Sequence, residues 1–574
     1  MKTARLLLAL VLLPTAPMAL ADAAPAAVPQ SYLKAWNPGQ DDQFGRSVAV
    51  SGDTLIVGAY EEDSDATGVD GIGNSNGAPN SGAAYIFVRQ GSNWVQQAYL
   101  KASDTGAGHE FGISVAISGD IAVVGARQQQ NDASGSSGAA YVFVRSGGVW
   151  TQRAILKASN RRAQHWFGQS VAISGGTIVV GAPYESSDAV GIDGDGNNEN
   201  APVSGAAYVF GFDGADWVEQ AFLKASNAQE SDIFGFSVAI DGDTIVVGAI
   251  GEAGGFGGVD GDESDNSRQS SGAAYAFVRD GGGAWSQQAY LKASDPQPDD
   301  IFGYSVAVSG DTAVAGVPWE DTATTDNSGA AYVFARNGGT WSPQARLAAS
   351  NAETEDQFGQ SVAASGTRVL VGAPYEDGNG RDGEDDNSES SAGAAYLFEP
   401  DGGGGWSQTV YLKAGNAKGG DSFGTSVSLS GGIALMGAPD EDGDGSGPDD
   451  NSTPNSGAAY AFLLDPPASP APPHLTVTRP RAFPATPVGR RSRPQAIRVG
   501  NLGGTAATGL AVRTSGKAGR DFRLTRPARN LAPGAETRFR ATFRPRATGA
   551  RRALATVRAS NTPARSVPLR GRGR

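Results

Sequence analysis

Three stretches of the chain place oxygen-bearing side chains at alternate positions. Asp440, Asp442 and Asp444 precede Gly445, Asp193, Asp195, Asn197 and Glu199 repeat the spacing, and Asp260 and Asp262 begin a third set. Calcium takes about six to eight oxygen ligands, and alternate residues of a tight, glycine-containing loop can turn several of them toward one ion. These nine residues are the candidate metal ligands, and Ca2+ is the candidate cofactor. The twelfth position of the Asp440 loop is Asn451 rather than Glu, so the loop is no EF-hand. The competing interpretation is a set of solvated acidic loops. A second titratable set stands two positions before a recurring Phe-Gly: Asp42, His109, His165, Asp232, Asp300, Asp356 and Asp421. A side chain there can cap a turn by accepting a backbone N–H, which is the preferred reading. The two histidines raise a metal pair as the alternative. The chain has no cysteine, G-x-S-x-G, H-E-x-x-H or Walker loop, so no catalytic residues are assigned. A carboxylate pair stays open, because acidic residues are abundant.

The elements that must position these residues follow from a repeat. Phe-Gly-x-Ser-Val begins at Phe44, Phe111, Phe167, Phe234, Phe302, Phe358 and Phe423, seven times in all. Recurrence at such a period marks a repeat architecture. In the third copy, "FGQSVAIS" alternates with period two and predicts a strand. Gly175-Gly176 turns the chain. "TIVVGA" is a continuous apolar strand, as expected when both faces are covered. After a polar loop, "SGAAYVFGF" and "WVEQAFLKAS" supply two more strands. Four antiparallel strands repeated radially make a propeller blade. Trp-bearing fourth strands follow only six of the seven first strands, at Trp94, Trp150, Trp217, Trp285, Trp341 and Trp406. The missing one lies at the other end of the chain, because "AVPQSYLKAW" (Ala27 to Trp36) aligns with "WVQQAYLKAS". The N-terminal segment is thus expected to complete the last blade and remove two open edges.

Phe-Gly heading the first strand and Val-Gly-Ala-Pro ending the second (Val180 to Pro183, Val371 to Pro374) resemble FG-GAP repeats. The resemblance spans residues 27–464 and implies the seven-bladed β-propeller of integrin alpha subunits and of many bacterial secreted proteins. Integrin-type repeats that bind calcium carry Asp-rich loops between strands one and two. Here those loops are short turns such as Ser118-Gly119-Asp120, so that family site is not carried over. The loops between strands two and three vary instead, with 22, 11, 22, 22, 11, 19 and 18 residues. Long, variable, acidic loops on one face of a rigid scaffold are where binding is expected.

The net charge of −15 hides a division. From His474 onward there are 22 Arg and one Lys against Asp521 and Glu536, while the rest of the chain holds 58 acidic and 22 basic residues. "DPPASPAPP" (residues 465–473) separates the two parts and reads as a stiff linker. Seven short strands are predicted after it, which argues for an Ig-like β-sandwich. "NLGGTAATGLAV" and "LAPGAETRFRATFRP" resemble Ig-like modules of the ASPM–SPD-2–Hydin type, common near the ends of bacterial surface proteins. Residues 1–21, with Lys2, Arg5, an apolar run from Leu6 to Leu13 and Ala19-Leu20-Ala21, read as a secretory signal peptide. No other segment is long and apolar enough to span a membrane.

The sequence therefore leads us to expect an all-β protein. It is a seven-bladed propeller closed by its N-terminal strand and followed by a basic Ig-like sandwich, exported to the cell surface or beyond. The expected function is non-enzymatic binding or adhesion at the acidic loop face, with a protein or glycan partner. An extracellular hydrolase with a carboxylate site on that face is the alternative. The basic unit is expected to meet an anionic surface polymer.

Overall fold

The computed structural model describes residues 30–131, 135–380, 384–448, 450–465, 474–478, 480–502, 505–532 and 535–574. The expected signal peptide, and the linker beyond Asp465, lie outside these residues. The chain divides into two compact units, Met1–Asp465 and Pro466–Arg574. The single helical element among the described residues is a 3-10 turn at Gly519–Asp521. No helix there is long and apolar enough to cross a membrane.

The first unit is built from seven four-stranded antiparallel sheets. In the third, Ser170–Ser174, Thr177–Ala182, Ala206–Phe212 and Trp217–Leu223 pair in chain order. The continuous apolar strand is the second, and all six of its residues are buried. The core is one aromatic step repeated in every blade. The Phe of each Phe-Gly packs edge-on or tilted against a Tyr and a Phe of the third strand: Phe44 meets Tyr85 and Phe87 with centroids 5.3 and 6.1 Å apart, and Phe423 meets Tyr460 and Phe462 at 5.4 and 6.1 Å. Such geometry suits the ring quadrupoles, and adds about 0.5–1.5 kcal/mol per pair beyond area burial.

The rest of the motif joins one blade to the next. The Ser of Phe-Gly-x-Ser donates through Oγ to the Gly carbonyl of the following blade's Phe-Gly, at 2.7–3.1 Å in all seven cases. The last of these, Ser426 to Gly45, closes the ring. Gly45 has φ +102°, which strongly favours glycine. A Cβ on Gly58, in the second strand of the first blade, would collide with the Gly112 carbonyl, so this glycine marks the close approach of neighbouring blades.

Closure occurs where the sequence placed it. Gln30–Leu33 pairs antiparallel with Ala458–Leu463, Tyr32 opposite Tyr460, and supplies the outer strand of the seventh blade. Seven four-stranded sheets joined in a closed ring make a seven-bladed β-propeller.

In the second unit all seven predicted strands form. Leu475–Val477, Gln495–Asn501, Glu536–Phe543 and Phe522–Leu524 make one sheet, and Ala511–Ser515, Gly549–Ala559 and Thr562–Gly573 make another. They share one core, containing Ile497, Phe539, Phe543, Val557 and Leu569.

Deleting residues 27–36 removes the closing strand and strips Glu441, itself 2% exposed, of Lys34 and Tyr32. Loss of a buried carboxylate's cation costs about 3–5 kcal/mol, and the bared edge invites pairing with other chains. Scanning calorimetry is expected to show a lower Tm and light scattering to show self-association; a wild-type Tm with a monomeric profile would refute the closure.

Candidate functional site

Antiparallel connectivity gathers the long two-to-three loops and the four-to-one loops at one end of the ring. Beneath them lies a buried ion pair. In the third blade Lys224 Nζ donates to Glu185 Oε2 at 2.8 Å, and both side chains are fully buried. Asn160 Nδ2 donates to Glu185 Oε1 at 3.0 Å, while its Oδ1 accepts from Tyr208 OH at 2.6 Å. The same set recurs as Lys101–Glu62, Lys292–Glu252, Lys413–Glu376 and Lys34–Glu441. Two blades vary it, and in the second Lys157 Nζ donates to Gln129 Oε1. In the second blade Gln129 replaces the Glu and Asp104 the Asn, so Asp104 now accepts from Gln129 and Tyr141. In the fifth blade Ala348 replaces the Lys, and Arg346, which aligns with Tyr99 and Tyr290 of other blades, pairs with Glu320 at 2.5 Å.

The caps lie above these pairs. Asp42, Asp232, Asp300, Asp356 and Asp421 each accept the backbone N–H of the residue three positions earlier, at 2.6–2.9 Å. This is the turn cap expected from the sequence. His109 and His165 occupy the same position with Nδ1 buried and unpartnered. Burial lowers the pKa of both.

The residue before every Phe-Gly has a left-handed backbone: Gln43, Glu110, Trp166, Ile233, Ile301, Gln357 and Ser422, with φ between 53° and 58°. That conformation is uncommon for non-glycine residues and strained for isoleucine. Backbone bonds to the preceding blade hold it, for example Gln43 N–H to Asn455 O at 3.1 Å and Gln357 N–H to Asn327 O at 3.1 Å. Strain of this kind clusters at functional sites. Gln43, Gln357 and Ser422 line a cavity of ≈ 930 Å³, counting its open space. Tyr60, Tyr304, Trp319 and Tyr375 bring aromatic faces to it, and Arg46, Gln360 and Asp440 bring polar groups. Trp319 is 43% and Tyr375 40% exposed. Burial raises the Asp440 carboxyl above the usual aspartate range. Tyr375 and Gln357 continue into a cleft with Glu355 and Asp377. A separate pocket holds Trp166 and Tyr184, rings 4.2 Å apart, with Gln128 and Gln164. The Arg127 guanidinium lies 4.7 Å over the Trp166 ring. None of these aromatic residues was singled out from sequence. Their signal was the variable residues just before the buried Glu and on either side of Phe-Gly.

The candidate calcium ligands take several separate positions. Asp193 and Asp260 are left-handed residues whose Oδ1 accepts the N–H of Phe222 and Tyr290 on the fourth strand, at 2.9 and 3.0 Å. Asp70 does the same for Tyr99. Asp195 accepts from Asn197, and Asp262 from Ser264, within their own turns. The Asn197 carbonyl and Glu199 both accept from Arg162. Asp440 lines the central cavity, Asp442 accepts from Asn455 N–H, and Asp444 accepts from Ser446 N–H. Asp450, beside Asp444, is held down to about 2, chiefly by the backbone N–H of Asp444. Among the described residues, no three His, Asp or Glu side chains gather into a metal-holding group.

Burial raises all five cap aspartates to about 7, against the lowering effect of the N–H that each accepts. Nearby carboxylates push the same way, such as Glu62 and Asp63 at Asp42 and Glu252 at Asp232, and Lys101 and Lys224 oppose them. A carboxyl raised by folding contributes stability that is fully present below its ordinary value and is lost as pH climbs through about 7. Calorimetry at fixed ionic strength is expected to show Tm falling by several degrees between pH 5 and 8, and falling less steeply in Asp232→Asn/Asp300→Asn. A Tm that stays level or rises over that window would contradict the assignment.

The FG-GAP repeat model matches residues 29–87, 94–143, 150–210, 217–277, 285–334, 341–398 and 406–462. Each segment begins on one blade's outer strand and ends on the third strand of the next, so the sequence repeat straddles two blades. No curated protein matches the chain. Among solved structures, the GH74 xyloglucanase Xcc1752 of Xanthomonas campestris is 12% identical, covering 94% of this chain and 69% of its own, with TM-score 0.34. The CARDB domain of PF1109 from Pyrococcus furiosus is 19% identical over 18% of this chain and 96% of its own, with TM-score 0.15. The ASH / PapD-like domain 7 of human CEP192 is also 19% identical, over 20% of this chain and 93% of its own, with TM-score 0.14. The seven matched segments cover more than half of the sequence, and the chain belongs to the FG-GAP repeat family.

Proposed function

We propose that this protein is a non-enzymatic binding protein of the cell exterior, that it adheres to glycans, and that the glycan sits in the mouth of the propeller's loop face. The observation that carries this reading is the convergence of Tyr60, Tyr304, Trp319 and Tyr375 with Gln43, Gln357 and Gln360 around one cavity. A sugar ring presents an apolar C–H face and a rim of hydroxyls. Aromatic faces cover the first, and side-chain amides both donate to and accept from the second. The cavity is mainly polar, with aromatic rings set among amide, hydroxyl and charged groups, and such a lining suits a ligand rich in hydroxyls. The two-sheet basic unit is read as an Ig-like sandwich that carries the propeller at the surface.

A glycan array probed with the full chain, followed by calorimetric titration of the best ligand, tests this. Trp319→Ala/Tyr375→Ala is expected to weaken binding at least tenfold with little change in Tm, because both rings are substantially exposed. Binding of a surface protein with no glycan retained would replace the glycan by a protein partner. The raised Asp440 carboxyl supports a second reading, hydrolysis with Asp440 as general acid. Turnover of a bound glycan that is abolished by Asp440→Asn, with binding preserved, would establish it.

Calcium belongs to the same reading as a stabiliser of the acidic loops. Asp195, Asp262 and Asp444 are exposed, and each spends Oδ1 on a turn. Calcium at about 100 times its Kd would add about 2.7 kcal/mol. Thermal melts are expected to shift upward in calcium and the shift to shrink in Asp444→Asn/Asp450→Asn; identical melts in calcium and chelator would leave the loops metal-free.

A further inference from the structure

Many arginines of the C-terminal unit lie on exposed strand positions, some facing each other across a sheet as Arg498 and Arg538 do, but five converge on a cleft. Arg491, Arg520, Arg523, Arg544 and Arg546 line one cleft of ≈ 1080 Å³, open space included. Three chain segments build it, and backbone bonds fix them together: Gly489 N–H to Pro545 O at 2.8 Å, and Arg544 N–H to Asp521 O at 2.7 Å. The framework is therefore set independently of the arginine side chains.

The local charge is uncompensated. Asp521 is the one acid lining the cleft, and its carboxylate is buried and already taken by Arg551 Nε at 2.5 Å. Glu536, the only other acid of the unit, lies 3.6 Å from Arg498. None of the five lining arginines forms an ion pair among the described residues, and Arg544 Nε donates only to the Gly489 carbonyl, at 2.8 Å. Five like charges around one concavity repel each other unless an anion enters. Guanidinium forks match tetrahedral oxyanions by paired N–H donors. A chain of uronic acids offers one charge per sugar ring, whereas linked phosphates offer one or more per group. Charge density therefore favours phosphate.

We propose that this cleft binds adjacent phosphate groups, as found in a pyrophosphate or polyphosphate chain or on a phosphorylated headgroup. The full-length protein is titrated calorimetrically with tripolyphosphate and with inorganic phosphate in low salt. One equivalent of tripolyphosphate is expected to bind at least tenfold tighter than phosphate and to weaken steeply as salt rises. Arg491→Gln/Arg520→Gln/Arg523→Gln should lose at least tenfold. Arg513→Gln/Arg529→Gln/Arg558→Gln, which removes the same charge from exposed positions outside the cleft, should bind like wild type; circular dichroism checks that both variants are folded. Sedimentation with phosphatidate vesicles separates the sources: capture that tripolyphosphate reverses points to a headgroup, and no capture points to a soluble chain. Equal loss in the two triple variants, which would mean a diffuse field, or no tripolyphosphate binding at low salt, overturns the proposal.

Discussion

The contact between one blade and the next at Phe-Gly is the constraint on which the propeller rests. Each glycine carbonyl is taken by a serine of the blade before it, and each phenylalanine N–H by a carbonyl of that same blade, as in Phe44 to Ser456 and Phe358 to Ser328. The ring contains no free end, so an error at one step propagates to all the others. The same contact forces the preceding residue into the left-handed region and turns Gln43, Gln357 and Ser422 toward the central mouth. The lining of this cavity is thus a direct product of the way the blades are joined.

The buried Lys–Glu pairs beneath the loops do a different job. Desolvation takes back much of what the attraction supplies, so such a pair is weak evidence for stability, whereas losing one member is severe. The second and fifth blades follow that asymmetry. Where Gln129 removes the acid, Asp104 restores one across the same hydrogen-bonded cluster; where Ala348 removes the cation, Arg346 reaches Glu320 from the neighbouring tyrosine position. In both blades the altered residue stays within the same hydrogen-bonded cluster at the base of the loop.

Much of the fold was legible in the sequence, because blades are local. Period-two strands, Gly turns and the Phe-Gly frame all lie within short windows, and the N-terminal segment could be matched to a strand because its Tyr-Leu-Lys-Ala is shared with the other copies. The site was less legible. Its aromatic residues occupy different positions in different blades, with Tyr304 after a Phe-Gly, Trp319 and Tyr375 directly before a buried Glu, and Tyr60 two residues before one. Only radial convergence brings them together. Alternating aspartates carried a different ambiguity. A loop paired to the fourth strand through Val69, Ile192 or Val259 uses its aspartate to cap strand N–H groups, and spacing alone does not distinguish that from a ligand set.

The way the seventh blade is finished has a mechanical consequence. The chain leaves the propeller from Ala458–Leu463, a strand hydrogen-bonded on both edges, by Ile433–Ala438 on one side and Gln30–Leu33 on the other. Two residues beyond it, Asp465 is gripped through both carboxylate oxygens by Arg368 of the sixth blade, at 2.5 and 2.9 Å. Tension arriving along the tether meets an interior strand and a clasp to the neighbouring sheet instead of an outer strand that could peel away bond by bond. A pull strong enough to extract this strand would have to break its pairing with both neighbouring strands together.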